Sequence, residues 1–443
     1  MRQNNFNGGI SPRNNFAPLR LRVKQENPVF KIIHASIIVF SSILFILFSG
    51  CSGKGLLLEH ITPEEARIPK LVPDETQSKN PTFIVTGDTQ SGLKVVEKFA
   101  RRENWRTWKM LIFPFYELYW LGNGIYGGIN YLRGVPDEGA HSRKLMREVL
   151  YRDSKKLNVD FILDNGDICA YDGRRPDHWK LFLKENKWDH PLLNEIPFLP
   201  VVGNHDRVND TEFGRQNYQA VFDYPQFYSL EFKDAVLIVL DSDIIIDQNG
   251  EIPPAEQEEL FKKWFVSDED SGQSSWLEEQ LNIYRDKSFK ILAMHHAPIT
   301  FGWHYKDWYR ASNGDKLSEK RKKFLELLRK EKVQVLFSGH EHNYQHNILH
   351  FPEKTGETEW DLHLITSSSG GAPPRSLRSQ RKIEKIKSLY EHENLDVTNV
   401  MFEKEYHYCV VTPRENRLRI QSMEVDPGGD HEVKLMEEIE IFP

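Results

Sequence analysis

Five segments of this chain end an apolar run in carboxylate, amide or imidazole side chains, the groups that bind divalent metal ions and transfer protons. Open α/β sheets bind their ligands at the carboxyl ends of strands, where each of these polar groups would stand. One such segment is also compatible with an ordinary turn, but five in one chain predict a shared site. The segments are 83–90 (FIVTGDTQ), 161–167 (FILDNGD), 201–207 (VVGNHDR), 291–296 (ILAMHH) and 335–342 (VLFSGHEH).

The order of these motifs resembles the calcineurin-like metallophosphoesterase superfamily over residues 81–426. The motifs are Gly-Asp, Gly-Asp, Gly-Asn-His-Asp, His-x-Pro and Gly-His-x-His. The segments 339–344 (GHEHNY) and 367–371 (SSSGG) are most similar to the purple-acid-phosphatase-like branch. The resemblance implies an α/β fold, a four-layer α/β/β/α sandwich in which helices flank two mixed β-sheets.

The resemblance also implies a dinuclear metal centre in which the carboxylate of Asp167 bridges both ions. Two divalent ions about 3.5–4 Å apart activate water and stabilise a phosphoryl group during its transfer. Oxygen and nitrogen ligands of this kind suit Mn, Fe or Zn, in divalent or mixed-valence form. By resemblance, the first ion is bound by Asp88, Asp167 and His342, and the second by Asp167, Asn204, His296 and His340.

Gln90 stands where the family usually has a His. It binds the first ion through its carbonyl oxygen, or it points away and caps the loop after Gly87-Asp88. An amide oxygen is a harder and usually weaker ligand than an imidazole, so the first interpretation implies a loosely held or different ion.

His205 is interpreted by resemblance as the acid that protonates the leaving group, with Asp206 orienting it. The family's ligand lies two residues before Pro298, which selects His296 and leaves His295 behind the ligands or in the core.

Arg174, Arg175 and Tyr344 are the candidate substrate-binding residues. An Arg can pair with a phosphate through two hydrogen bonds, although a surface position for either Arg is equally compatible with the sequence. The loop 303–305 is expected at the same edge of the fold, with His304 itself interpreted as structural.

These assignments predict a metal-dependent phosphoester hydrolase whose first candidate substrate is a phosphomonoester. A phosphodiesterase or a nucleotidase is the alternative within the same class. A non-catalytic binding lipoprotein is the alternative from another class, motivated only by Gln90.

Composition and the first 51 residues bear on partners and location. The 443 residues carry a formal net charge of −7 without a sustained basic tract, which argues against nucleic-acid binding.

Basic residues, the apolar run 32–48 and Ser49-Gly50-Cys51 follow the order of an export signal. Cys51 resembles the lipid-modified first residue of a bacterial lipoprotein, which would anchor the protein to a membrane at the periplasmic face or cell envelope. An uncleaved anchor is the alternative, since about 17 apolar residues are at the short limit for a spanning helix.

The predicted organisation has a signal over 1–51, a tether over 52–80, the catalytic domain over 81–426 and a C-terminal segment over 427–443. Within the domain, residues 102–137 form an insertion rich in Trp, Tyr and Phe. Its aromatic side chains pack on the core or enter the headgroup region of a membrane, where Trp and Tyr are favoured.

Hydrophobic periodicity predicts the elements that position the five motifs. Helices are expected over 141–156 and 317–332, with another beginning at Ser274 behind a hydroxyl cap. Besides the strands that lead into the motifs, strands are expected at 362–366, 406–411 and 417–422, and a hairpin at 227–232 and 236–241.

Overall fold

The computed structural model describes residues 66, 68–71, 79–92, 139–170, 173, 176–207, 212–242, 272–309, 314–353, 358–428 and 431–443. All of them belong to one compact unit, Ser52–Pro443. The predicted signal with Cys51, the aromatic insertion, Arg174 and Arg175 lie outside the described residues.

A six-stranded sheet forms the first half of the core, in the order β13-β12-β11-β1-β2-β3. Strands β1, β2 and β3 are parallel, while β11, β12 and β13 continue the sheet in antiparallel pairs. The strands are β1 Phe83–Thr86, β2 Phe161–Asp164, β3 Phe198–Pro200, β11 Tyr406–Arg414, β12 Arg417–Val425 and β13 Val433–Ile441.

A seven-stranded sheet forms the second half, in the order β10-β8-β9-β7-β6-β5-β4. It is also mixed, because β5, β6, β7 and β9 run parallel while β4, β8 and β10 pair antiparallel. The strands are β4 Tyr228–Glu231, β5 Ala235–Val239, β6 Phe289–Ala293, β7 Val335–Ser338, β8 Tyr344–Phe351, β9 Trp360–Ser367 and β10 Asp396–Glu403.

Helices cover the outer face of each sheet. The described helices are α1 Ala140–Leu157, α2 Pro176–Leu183 with a π-helical turn Lys184–Trp188, α3 Leu192–Glu195, α4 Asn204–Arg207, α5 Glu212–Phe222, α6 Gly272–Ile283, a 3₁₀ turn Asp307–Tyr309, α7 Gly314–Lys330 and α8 Gln380–His392. Helices α1, α2 and α5 share a core with the first sheet, and α6, α7 and α8 share one with the second.

The two sheets face each other across a third core, which confirms the predicted sandwich of two mixed sheets flanked by helices. Alternation along β1 shows how the sequence specifies these layers. Phe83 and Val85 point between the sheets, while Ile84 between them points towards the helices. This is the period-two pattern of a strand buried on both faces.

Two predicted boundaries differ from the structure. Residues 427–443 are not a separate segment, because β13 pairs with β12 from Leu418↔Ile441 to Val425↔Val433 and completes the first sheet. The predicted tether packs on the domain in part, since Ala66 and Ile68 are buried in the core under the first sheet. Apolar contacts that form only in three dimensions therefore extend the domain at both ends.

Strands β8, β10 and β13 were missed because their polar and apolar residues do not alternate cleanly. The third strand also ends earlier than predicted, at Pro200, and the GNHD motif runs into the short helix α4. In the part of the chain that the structure describes, each helix is too short or too polar to cross a membrane.

Candidate metal centre

The five polar motifs meet at one edge of the sandwich, as predicted. The carboxyl ends of β1, β2 and β3 in one sheet lie at this edge, together with those of β6 and β7 in the other sheet. The amide of Asn165 ties the two sheets together by donating to the carbonyls of Ser338 and Ser367 at 3.0 and 3.2 Å. The site is therefore built on the rigid ends of buried strands.

The backbone at this edge is unusually strained. Asp88, Gln90, Asp167, His340 and His342 all have left-handed φ angles between 52° and 74°. Non-glycine residues rarely adopt this region, and such strain concentrates at functional sites. A close backbone approach at the same edge requires glycine at position 203, because a Cβ there would lie 2.2 Å from the backbone nitrogen of Asp167.

Four donor atoms converge at the position expected for the second ion. Nε2 of His295 lies 3.3 Å from Oδ1 of Asp167, 3.2 Å from Oδ1 of Asn204 and 3.1 Å from Nδ1 of His340. Nε2 of His295 is therefore surrounded by oxygen and nitrogen donors of the types that bind divalent metal ions.

Donors for the first ion lie beside Asp167 on the side of β1. Nε2 of His342 is 3.3 Å from Oδ1 of Asp88, and Asp88, Asp167 and His295 form a further group whose ligand atoms lie within 4.8 Å of one another. All of these side chains are buried. Asp167 is thus common to both sets of donors, as a bridging carboxylate must be.

The side chain of Gln90 points at this first set of donors. Its amide nitrogen is 2.9 Å from Nε2 of His342, and half a turn of the amide would put the carbonyl oxygen in the same place. This contact favours the interpretation of Gln90 as a ligand of the first ion over a side chain that points away.

We therefore expect Gln90→His to tighten zinc binding at the first position by about tenfold, because imidazole binds zinc better than an amide does. Gln90→Ala should loosen the same ion. Titration of metal-free protein with zinc and with manganese measures both changes. Three superimposable titration curves for the wild type and the two variants would rule out coordination by Gln90.

Four buried carboxylates lie together at this edge, namely Asp88, Asp164, Asp167 and Asp206. Burial raises the pKa of Asp88 and of Asp206 well above the ordinary value, and raises that of Asp164 to about 7. Burial would raise the pKa of Asp167 too, but His205 and His295 lower it overall. A cluster of buried negative groups is stable only with nearby cations, which is a second indication that the site fits metal ions.

His205 lies beside the bridging carboxylate, with Nε2 3.6 Å from Oδ2 of Asp167. Its side chain is 20% exposed, so it faces the open side of the site. The predicted partner, Asp206, does not orient it. The carboxylate of Asp206 accepts hydrogen bonds from the backbone N–H groups of Cys169 and Gly203, because neighbouring residues of α4 point in different directions.

The structure places His295, which was predicted to lie behind the ligands, in contact with Asp167 and Asn204. His296 lies next to it, and its Nδ1 shares a hydrogen bond of 2.9 Å with Oγ of Ser242. His296 still belongs to a possible ligand group with His295 and His340. His295 therefore joins the candidate ligands, and the assignment of His296 as a ligand stays a prediction.

Tyr344 is not a substrate-binding residue in the structure. It is fully buried, and its hydroxyl donates to Glu437 of β13 and accepts from Ser422 of β12. The residue begins β8, and its side chain points into the core between the sheets.

A buried carboxylate that sequence analysis missed connects the metal ligands to the open side of the site. Oδ2 of Asp307 is 3.1 Å from Nε2 of His340 and 3.2 Å from Nδ1 of His304. A carboxylate oxygen only accepts, so both nitrogens present N–H groups to it. Nδ1 of a neutral His340 then carries a lone pair that can bind an ion, and it is this atom that faces His295.

We expect Asp307→Ala to weaken the second ion by about 10–100-fold, the usual effect of removing the carboxylate behind a metal-binding His. The measurement is metal affinity by competition with a chromophoric chelator. Asp361→Ala is the matched control, because Asp361 pairs with His350 at 2.8 Å on the solvent-exposed part of β8 and β9. Equal affinity in the two variants would show that Asp307 does not hold His340 for metal binding.

Glu341, the residue between the two His of the last motif, positions the loop that carries His304. Its buried carboxylate accepts from the backbone N–H groups of Trp303 and His304 and from the hydroxyl of Thr300. Gly302 allows this close approach, because a Cβ there would lie 2.1 Å from Glu341.

Comparison with known proteins agrees with this geometry. The sequence profile of the calcineurin-like phosphoesterase family matches residues 81–344. No curated protein matches the chain in sequence. A purple acid phosphatase from yellow lupin seeds has a similar structure, with 13% identity, a TM-score of 0.50, and coverage of 83% of this chain and 54% of that one. The chain thus spans about half the length of that phosphatase.

Two further solved structures are similar at lower scores. GAP50, described as the anchor in the inner membrane complex of Plasmodium, has 14% identity and a TM-score of 0.46, with 82% and 89% of the two chains covered. A dimetal phosphatase from Danio rerio has 12% identity and a TM-score of 0.42, with 82% and 99% covered.

The family profile covers more than half of the chain, so the chain belongs to the calcineurin-like phosphoesterase family. Calcineurin-like phosphoesterases use a dinuclear metal centre, and the clusters of Asp and His side chains in this chain could hold metal ions.

Proposed function

We propose that the protein is a phosphomonoesterase whose metal-binding residues are Asp88, Gln90, Asp167 and His342 on one side, and Asp167, Asn204, His295 and His340 on the other. The observation that carries the proposal is the position of Asp167, which is shared by both sets of donor atoms. Metal ions bound there would lower the pKa of a water molecule and neutralise phosphate charge.

The protein's own groups account for the remaining steps. Hydrolysis joins a water oxygen to phosphorus and breaks the P–O bond to the leaving group, whose oxygen then takes a proton. His205 faces the open side next to Asp167, a position from which Nε2–H can supply that proton. Arg375 also faces this side, with Nη1 3.2 Å from Nε2 of His304, and its remaining N–H groups add hydrogen-bonding capacity for phosphate oxygens. A monoester offers more free oxygens to such donors than a diester does.

The test is turnover of an alkyl phosphate monoester and its methyl diester before and after metal removal. We expect hydrolysis of the monoester to require metal, to return when manganese, iron or zinc is added, and to exceed that of the diester. Faster diester hydrolysis would identify a phosphodiesterase. A protein that binds metal but hydrolyses neither substrate would contradict catalysis.

We also propose that the protein is exported and anchored to a membrane by a lipid on Cys51. The support is the order of basic residues, apolar run 32–48 and Ser49-Gly50-Cys51 in the sequence. Metabolic labelling with a radioactive fatty acid tests it, and equal labelling of the wild type and Cys51→Ser would contradict it.

A further inference from the structure

Four cationic side chains converge on the loop 303–305 at the open side of the metal centre. They are Lys306, Arg375, Arg378 and Lys382, termed the cationic rim. Three consecutive residues of the loop each contact one or two of them. Arg378 stacks 3.6 Å above the ring of Trp303, Arg375 lies against His304, and Lys306 and Lys382 lie 6.0 and 5.2 Å from the ring of Tyr305.

The rim begins at the metal-binding residues and extends outward from them. The backbone N–H of Arg375 donates to the carbonyl of His342 at 2.7 Å. Nη1 of Arg375 lies 3.2 Å from Nε2 of His304, whose ring centroid is 3.8 Å from that of His340. Arg378 lies further out over the exposed Trp303, and Lys382 belongs to the first turn of α8. Positive charge therefore continues from the site of hydrolysis to the solvent.

Among the described residues, no carboxylate forms an ion pair with any of the four side chains of the rim. The two acidic residues next to the loop, Glu341 and Asp307, are buried and turn their oxygens inward, to backbone N–H groups and imidazoles. The chain as a whole has a net charge of −7, so these unpaired cations stand out at the mouth of the site. Clustered cations of this kind attract an anionic ligand.

We propose that the cationic rim is a subsite for a second anionic group of the substrate. The substrate class is then a phosphomonoester whose leaving group carries a further phosphate, and the proposal rests on the proposed phosphomonoesterase function. The scissile phosphate lies at the metal-binding residues, and the second phosphate lies outward of it. The aromatic rings keep the cations in place, and part of their hydration is lost against the rings, which strengthens attraction for an anion.

The experiment compares two substrates that share one alcohol, 3-hydroxypropyl phosphate and propane-1,3-diol bisphosphate. We expect the wild type to have a kcat/KM at least about tenfold higher for the bisphosphate, well beyond the factor of roughly two from its two equivalent esters. The preference should fall as salt rises from 0.05 to 0.5 M, because the rim is exposed to solvent.

The variant is the double substitution Arg378→Ser and Lys382→Ser, in a part of the rim away from the metal-binding residues. It should reduce the bisphosphate preference by on the order of tenfold. Lys332→Ser is the matched control, since Lys332 also lies over an aromatic ring, Trp360 at 5.9 Å, but precedes β7 at the opposite end of that strand. This control should keep the wild-type preference.

The outcomes separate the subsite from the proposed function. Hydrolysis of both substrates with a ratio near two would overturn the subsite and leave the phosphomonoesterase standing. Hydrolysis of neither would overturn the function itself. A double variant that keeps the wild-type preference for the bisphosphate would likewise overturn the subsite and leave the phosphomonoesterase standing.

Discussion

Asp167→Asn is expected to lose both metal ions and to lower turnover by about 10³-fold or more. The carboxylate is buried and lies within 3.3 Å of His295, and it is the one acidic group that both sets of donors share. With an amide in its place, two cations would repel each other across a site that has one negative charge fewer. Metal ions contribute several kcal/mol of transition-state stabilisation in such centres, which sets the size of the expected loss.

Asp88→Asn is the matched comparison, because Asp88 is equally buried but lies on one side of the centre only. Elemental analysis after gel filtration should find less metal in Asp167→Asn than in Asp88→Asn. Thermal unfolding of the metal-free proteins checks that both variants fold. Equal metal retention in the two variants would contradict a bridging role for Asp167.

His205→Ala is expected to lower the turnover of an alkyl phosphate by about 10²–10⁴-fold while both metal ions stay bound. The imidazole faces the open side, and its Nε2 lies 3.6 Å from Asp167, so it is close to the reacting groups without belonging to the converging donors. An alkoxide leaves poorly unless it is protonated, whereas 4-nitrophenolate leaves well without a proton. The loss should therefore be much smaller for 4-nitrophenyl phosphate.

The two substrates separate proton donation from a structural effect. His350→Ala is the control, because His350 is a partly exposed His that pairs with Asp361, and it should leave both rates unchanged. Equal losses for the two substrates would show that His205 binds phosphate or supports the loop. Loss of metal from His205→Ala would show that His205 is a ligand.

The edge of the fold at which the site forms was predictable from the sequence. Short apolar runs such as 83–86 and 291–293 predict buried strands, and polar residues that follow parallel strands lie together at the edge where those strands end. The types of ligand were also predictable from the sequence, since Asp, Asn and His are the groups that bind divalent ions. The helix predicted over 141–156 is confirmed as Ala140–Leu157. It was predictable because its buried residues recur at helical spacing.

Choices between neighbouring residues were decided only by the tertiary structure. His295 and His296 are adjacent and chemically identical, and the direction of each ring depends on how the backbone leaves β6. Asp206 follows His205 directly, yet it points at the backbone of Cys169 because α4 turns its side chain away. The sequence contains no signal for either direction, because a side chain's direction is set by backbone angles that neighbouring loops impose.

Contacts between distant segments were likewise decided by the fold. Asp307 reaches His340, and Arg375 reaches His304, because Glu341 and the 375–378 segment hold the 303–305 loop at the site's open side. Strand β13 joins the first sheet for a similar reason, since its residues find their partners on β12. The sequence alone determined which groups could perform the chemistry and at which edge, whereas packing between segments far apart in the chain decided which of them meet.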